Sequence, residues 1–168
     1  MDDPGFGEFR KGLFVVQNER TLVLLKPDAV QRGLIGALLA RYEKRGLRLA
    51  AMKLATVTEA QAREHYAEHV NKGFFPGLLG FITSGPSVQL IVEGPEAIQV
   101  VRDTNGATNP VKALPGTIRA DFGLTTGRNL VHASDGPEAA AREIAIFFGD
   151  GGIVEYERVI DGWIAADD

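Results

Sequence analysis

Apolar positions along the chain change period several times, and each change marks an element. Thr21 to Leu25, TLVLL, is an unbroken run of strand formers. Pro27, which cannot donate to a sheet ladder, ends that strand and leaves Lys26 at its exit. In GLIGALLARYEKRG, residues Leu34, Ile35, Leu38, Leu39 and Tyr42 fall at helical spacing and Gly46 supplies the stop. LRLAAMKLATV, residues 47–57, predicts a second strand. Thr58 with Gln61 forms a capping box at the head of TEAQAREHYAEHV, which predicts a helix over that stretch. FFPGLLGFITSG predicts a second short helix, closed by Ser84, Gly85 and Pro86. VQLIVE, residues 88–93, is a third strand, and Gly94-Pro95 opens another helix, PEAIQVVRD. NLVHA is a fourth strand, after which Asp135-Gly136-Pro137-Glu138 caps a last helix, PEAAAREIAIFF.

The order β-α-β-αα-β-α-β-α predicts an α+β fold of the ferredoxin-like split βαβ kind, a four-stranded antiparallel sheet with helices packed on one face. Residues 104–128 lack periodicity and hold two prolines and four glycines. A loop of that length in a compact domain is either functional or disordered. No internal repeat interrupts the chain, and 168 residues suit one domain. We read residues 1–18 as an N-terminal arm and 19–168 as the domain.

Composition narrows the function classes. Hydrophobic residues make up 45% and charged residues 24%, ordinary for a soluble globular protein. A net charge of −4 argues against a general nucleic-acid or anionic-membrane surface, while leaving room for a local cationic cluster. The absence of cysteine excludes disulfides, thiolate metal sites and a cysteine nucleophile, and suits a reducing compartment. No apolar run approaches bilayer length, and an N-terminus with Asp2 and Asp3 resembles neither a secretory signal nor a transit peptide. A cytoplasmic setting is the expectation.

The common nucleotide motifs are missing: no G-x-x-x-x-G-K-[ST] and no G-x-G-x-x-G after a strand, nor any H-E-x-x-H. His65 and His69, four apart, form either a two-ligand metal face or a solvated helix face beside Glu64 and Glu68; lacking a third ligand, the solvated face is the better reading. His132 differs. It ends a strand just before a helix start, whose free N–H groups and dipole favour anions. Lys26, Arg102, Arg119 and Arg128 sit in loops or near element ends, the makings of a phosphate-binding cluster. Glu143 lies about two turns into the final helix, placed to orient an imidazole, and a histidine nucleophile needs such an orienter. On spacing alone His132 stays open between nucleophile and satisfied strand-end histidine.

Several ordered motifs carry a resemblance. ERTLVLLKPDAVQRGLIG (19–36), EHYAEH with KGFFPGLL (64–79), ITSGP (82–86), GATNP (106–110), PGTIRADFG (115–123) and GRNLVHASD (127–135) resemble the nucleoside diphosphate kinase family, over about Glu19 to Trp163. The resemblance implies transfer of a terminal phosphoryl group from a nucleoside triphosphate to a nucleoside diphosphate, by a ping-pong route through a phosphohistidine on His132. It assigns phosphate contacts to Lys26, Arg102, Thr108 and Arg119, with Lys26 also reaching the sugar. The 3′-hydroxyl falls to Asn129 and base stacking to Phe74, with Leu78 and Thr126 nearby. Tyr66, Ser134 and Glu143 become supporting residues, the last two as partners of the histidine. Mg2+ is implied with the nucleotide, approached by Asp135 through water. The long segment becomes the loop that helps build the nucleotide site and subunit contacts, in a homohexamer or else a tetramer or dimer.

The sequence departs from the family pattern at Ala29 and Ala133, where glycine is usual, and at Val92, where tryptophan is common. Glycine tolerates φ > 0 and alanine does not do so freely, so harmlessness at Ala29 and Ala133 requires ordinary φ. The competing function is a catalytically inactive nucleotide-binding or scaffolding member of the same family. A nucleic-acid-binding regulator is disfavoured by the acidic balance and the lack of a basic stripe.

Overall fold

The computed structural model describes residues 18–164. The arm expected at 1–18 therefore lies, apart from Asn18, outside the described residues. Four strands, β1 (Asn18–Leu25), β2 (Arg48–Thr56), β3 (Pro86–Pro95) and β4 (Val131–Ala133), form one sheet in the order β2-β3-β1-β4, every neighbouring pair antiparallel. This is the α+β, ferredoxin-like arrangement expected from the pattern.

The helices cover both faces of the sheet, not one. Along β1, Leu22 and Leu24 enter one core cluster while Val23 and Leu25 enter another, all four fully buried. A strand buried on both faces cannot alternate apolar with polar, which is why TLVLL is unbroken. One layer is α2 (Ile35–Lys44) and α5 (Ala97–Asn105), bringing Leu38, Tyr42, Ala97 and Val101 onto Val23, Leu25 and Leu90. The other is α3 (Glu59–His65), α4 (Phe75–Ile82) and α7 (Pro137–Phe148), bringing Ala62, Ile82 and Phe147 onto Leu22 and Leu24. Each buried aliphatic or aromatic side chain contributes roughly 1.5–3 kcal/mol, an upper estimate because unfolded chains already bury part of this surface.

Several boundaries differ from the pattern, each for a local reason. A short helix α1 (Pro27–Gln31) follows β1 directly, because a proline suits the first helical position and Asp28 favours the first turn. The capping box at Thr58 and Gln61 is present, but α3 stops at His65; Tyr66 leaves helical geometry and Ala67–His69 forms a 3-10 turn. Residues 104–128 hold a 3-10 turn at Pro110–Lys112 and the helix α6 (Ile118–Phe122), whose first turn is capped by Thr117. Asp135 does not cap α7: the N-cap is Gly136, without a side-chain hydrogen bond, followed by Pro137. The chain ends its described part in α8 (Asp161–Ile164). Only Glu96 and Leu130 among described non-glycine residues have positive φ, so Ala29 and Ala133 sit at ordinary φ. Val92 is a buried core residue. Among the described residues no helix is long and apolar enough to cross a membrane.

Candidate active site

A cleft of about 1460 Å3 opens beside β4, between the start of α7, the turn after α3, and the loop before β4. Pairing of Leu24 with His132 across β1 and β4 fixes the histidine at its wall. Glu143 reaches back from α7 and lies with Oε2 2.9 Å from His132 Nε2, and the Ser134 hydroxyl donates to the same oxygen at 2.7 Å. Burial pushes the Glu143 carboxyl upward, but the hydrogen bond and charge of His132, with help from His65 and Ser134, outweigh it and hold the group below its ordinary range. A carboxylate can only accept, so Nε2 is the nitrogen that donates, and in the neutral ring that tautomer leaves the lone pair on Nδ1. The histidine side chain is 22% exposed and Glu143 only 6%, so the acceptor is sheltered while the ring faces the cleft.

His65 does not lie on a solvated helix face. The break at Tyr66 separates it from His69, and its side chain is 1% exposed, edge-on to His132 with ring centroids 4.5 Å apart. Burial, then the nearby His132, lowers its pKa to about 3, so it is neutral. His69 instead sits beside Lys72 and Phe74 on the cleft rim. Tyr66, half-buried edge-on to His65 and to His132, has its phenol raised above the usual range by burial and by Glu143, so its hydroxyl keeps its proton.

The cationic side is built from loop ends. Lys26, at the exit of β1, donates to Asn129 Oδ1 at 2.7 Å, and Asn129 Nδ2 donates to the Thr108 carbonyl at 2.9 Å. Burial lowers the Lys26 ammonium from its ordinary 10.5 to about 8, with the Arg119 charge adding to the effect and Asp28 opposing it. Arg119 donates to the carbonyls of Asn129, Gly106 and Val131, which uses three of its five N–H groups and leaves two for the cleft. Arg102, on the last turns of α5, is exposed on the cleft wall, and its side chain makes no hydrogen bond or ion pair among the described residues.

Two backbone features hold this loop. Leu130 is fully buried with φ 70, and the Val131 amide donates to the Asn129 carbonyl across it at 2.8 Å. That is a γ-turn of the strained sign, of the kind that persists where surroundings enforce it. The Leu130 amide is held by Asp28 and its carbonyl by the Lys26 amide. Gly106 has φ 77, and a Cβ there would run into the Thr117 side chain.

At the other end of the cleft, Phe74 is 56% exposed, with Leu78 and Thr126 on the same lining. Arg128, counted by its sequence position among the phosphate cations, instead stacks its guanidinium 3.9 Å over the Phe81 ring. Asp135 is exposed at the mouth, near the uncapped start of α7. The sequence offers His65 only as half of a metal pair with His69, read in preference as a solvated face, and does not single out Asp28, the Gly106 carbonyl or Leu130. Asp28 carried a signal, the acid after Pro27 in a first turn, whereas nothing in the letters announces a positive φ at leucine.

The chain matches the nucleoside diphosphate kinase family over residues 19–153. It is 62% identical to the nucleoside diphosphate kinase of Methanosarcina barkeri over 141 residues, 84% of this chain and 95% of the relative. It is 55% identical to that of Archaeoglobus fulgidus over 146 residues, 87% and 97% of the two chains. Among solved structures it resembles the halophilic nucleoside diphosphate kinase of Halobacterium salinarum in complex with CDP, with TM-score 0.86, 47% identity, and coverage of 89% of this chain and 99% of that one. The chain belongs to the nucleoside diphosphate kinase family.

Proposed function

We propose that the protein transfers the γ-phosphate of a nucleoside triphosphate to a nucleoside diphosphate through a phosphohistidine on His132. The observation that carries this reading is the His132–Glu143 pair: a sheltered carboxylate takes Nε2, which leaves Nδ1 as the attacking nitrogen of a histidine that lines a cleft shared with Lys26, Arg102 and Arg119. In the first half-reaction Nδ1 attacks the γ-phosphorus, the bond to the β–γ bridging oxygen breaks, and the nucleoside diphosphate leaves. In the second, a terminal β-oxygen of another nucleoside diphosphate attacks the phosphohistidine phosphorus and the P–N bond breaks. The imidazole that gains positive character in attack is stabilised by Glu143, as an oriented base stabilises its partner nucleophile.

Phosphoryl transfer passes through a loose transition state with charge spread over the phosphoryl oxygens, so positioning and cations supply most of the rate. Lys26, Arg102 and the two unused N–H groups of Arg119 offer those cations, Thr108 lines the phosphate end, and Tyr66 presents a protonated hydroxyl beside them. In this reading Asn129, tied to Lys26, takes the sugar 3′-hydroxyl, and the exposed Phe74 stacks on any base, since every base has a π face. Asp135 and the acids Glu64, Glu68 and Glu138 on the cleft lining are hard oxygen donors, which fits Mg2+ arriving with the nucleotide and held by Asp135 through water. Bound there, Mg2+ would neutralise phosphate charge.

A cytoplasmic setting and a homo-oligomer belong to the same proposal. Exposed Val111, Leu114 and Leu124 on the long segment, and Met52 and Leu54 on the edge strand β2, support self-association. An inactive nucleotide-binding role has no observation in its favour. The test is incubation with ATP labelled on the γ-phosphate: acid-labile, base-stable label that a nucleoside diphosphate chases off supports the reading, and no uptake by the intact protein sinks it.

A further inference from the structure

The interior side of the site holds a group that the proposed reaction leaves unused. Both ring nitrogens of His65 are buried without a hydrogen-bond partner, although an unpaired buried polar group is costly. His65 Nδ1 lies 3.6 Å from Glu143 Oε1, and His132 Nε2 lies 2.9 Å from Glu143 Oε2. One ligand atom from each of the three residues falls within 4.8 Å of the others. Zinc binds imidazole nitrogen and carboxylate oxygen at about 2.0–2.2 Å, so tetrahedral ligand atoms stand roughly 3.3–3.5 Å apart. That spacing lies inside the range already present, and small side-chain shifts complete it.

We propose that His65, His132 and Glu143 form a binding site for a zinc-class divalent transition metal, and that occupancy arrests phosphoryl transfer. The site itself stands on these three side chains alone; the arrest rests on His132 being the nucleophile. Two imidazoles and a carboxylate suit Zn2+ or Co2+, with the fourth position open to water or to the Ser134 hydroxyl beside Glu143. Mg2+ demands octahedral oxygen and does not compete for it, so the ion travelling with the nucleotide leaves it alone. In the resting site Nε2 of His132 holds the ring proton. A metal on Nε2 requires the other tautomer: that proton leaves Nε2 and one returns from solvent to Nδ1, with no net change on the ring. Nδ1 then has no lone pair to attack phosphorus, and Glu143 has turned from acceptor to ligand.

Cobalt is the probe for binding, because tetrahedral Co2+ with nitrogen and oxygen ligands absorbs visibly. Titration of the intact protein is expected to develop that spectrum at one ion per chain and to lose it when Zn2+ is added. In parallel, label uptake from γ-labelled ATP at fixed Mg2+ is measured with and without Zn2+. We expect Zn2+ to cut wild-type uptake by about tenfold or more, reversibly with chelator, and the same ratio to shrink to about twofold or less in His65→Leu, which also loses the cobalt spectrum. His69→Ala should keep both the spectrum and the inhibition. His65→Asn, a smaller polar change, repeats the comparison should the leucine variant lose its native circular dichroism. No cobalt spectrum on the wild type, or an undiminished spectrum and inhibition without His65, overturns the proposal. Failure of wild type to take label without Zn2+ sinks the nucleophile reading instead, while the cobalt spectrum still judges the site.

Discussion

Nε2 of His132 and Oε2 of Glu143 stand 2.9 Å apart, and the glutamate oxygen also receives the Ser134 hydroxyl at 2.7 Å. The same contact sets the tautomer of the ring and meets the charge that the ring acquires during attack. Replacing the carboxylate by an amide of equal size keeps the shape, removes the charge, and no longer obliges Nε2 to be the protonated nitrogen, because an amide offers a donor as well as an acceptor. For Glu143→Gln we expect kcat to fall by about 10²-fold with KM nearly unchanged, since an oriented base contributes on that scale. Steady-state kinetics over a range of nucleoside diphosphate concentrations check it; a rise in KM at unchanged kcat would assign Glu143 to ground-state binding instead.

Lys26 gives the pH dependence. Its ammonium is lowered from 10.5 to about 8 in the fold, chiefly by burial. Between those values the unfolded chain holds a proton that the folded chain has released, so this group makes stability rise with pH across that window. Activity moves the other way: the free enzyme loses the charge as pH rises through about 8, and kcat/KM for label uptake falls above it. A bound triphosphate favours the charged form, so kcat falls less than kcat/KM. Lys26→Arg stays charged throughout and should flatten the alkaline limb, whatever it costs in absolute rate. An identical limb in both proteins would contradict the assignment.

Phe74 separates stacking from base-edge recognition. Loss of an aromatic platform costs about 1–3 kcal/mol per base. Phe74→Ala should therefore raise KM for adenine, guanine and cytosine nucleotides together, by about tenfold or somewhat more, and leave their ranking unchanged. A change confined to one base would point to hydrogen-bond readout.

Gly106 and Gly36 make a matched pair for the scaffold. Gly106→Ala forces alanine to φ 77 against Thr117, at the carbonyl that holds Arg119, and should cost about 1–3 kcal/mol by urea denaturation. Gly36 lies in α2, where a Cβ meets nothing within 4 Å, so Gly36→Ala should be neutral or stabilising by up to about 1 kcal/mol. Equal effects at the two positions would argue against a strained loop.

Much of the fold was legible because period and punctuation agree. TLVLL, VQLIVE and the Thr58 capping box mark β1, β3 and the start of α3 where the structure has them. The expected single covered face differs from the structure at β1, where an unbroken apolar run marks a strand covered on both sides. The end of α3 is not legible because nothing in REHYAEH forbids a further turn; the break at Tyr66 goes with the packing of His65 against His132, a contact between distant parts of the chain. The gathering of Lys26, Arg119, Asn129 and Glu143 around His132 joins residues up to 117 positions apart (143 − 26) and could be reached only through the motifs, not through spacing. Leu130 stayed invisible altogether, since its positive φ is imposed by Asp28 and Lys26 from across the chain.

The central claim is that Nδ1 of His132 carries the phosphoryl group, because Glu143 occupies Nε2. The direct measurement is to label the protein with γ-labelled ATP, digest it under alkaline conditions, and separate the two phosphohistidine isomers of the labelled peptide. We predict a single labelled peptide containing His132, with phosphorus on Nδ1. Label on Nε2 of His132, or on a peptide without His132, would contradict the account.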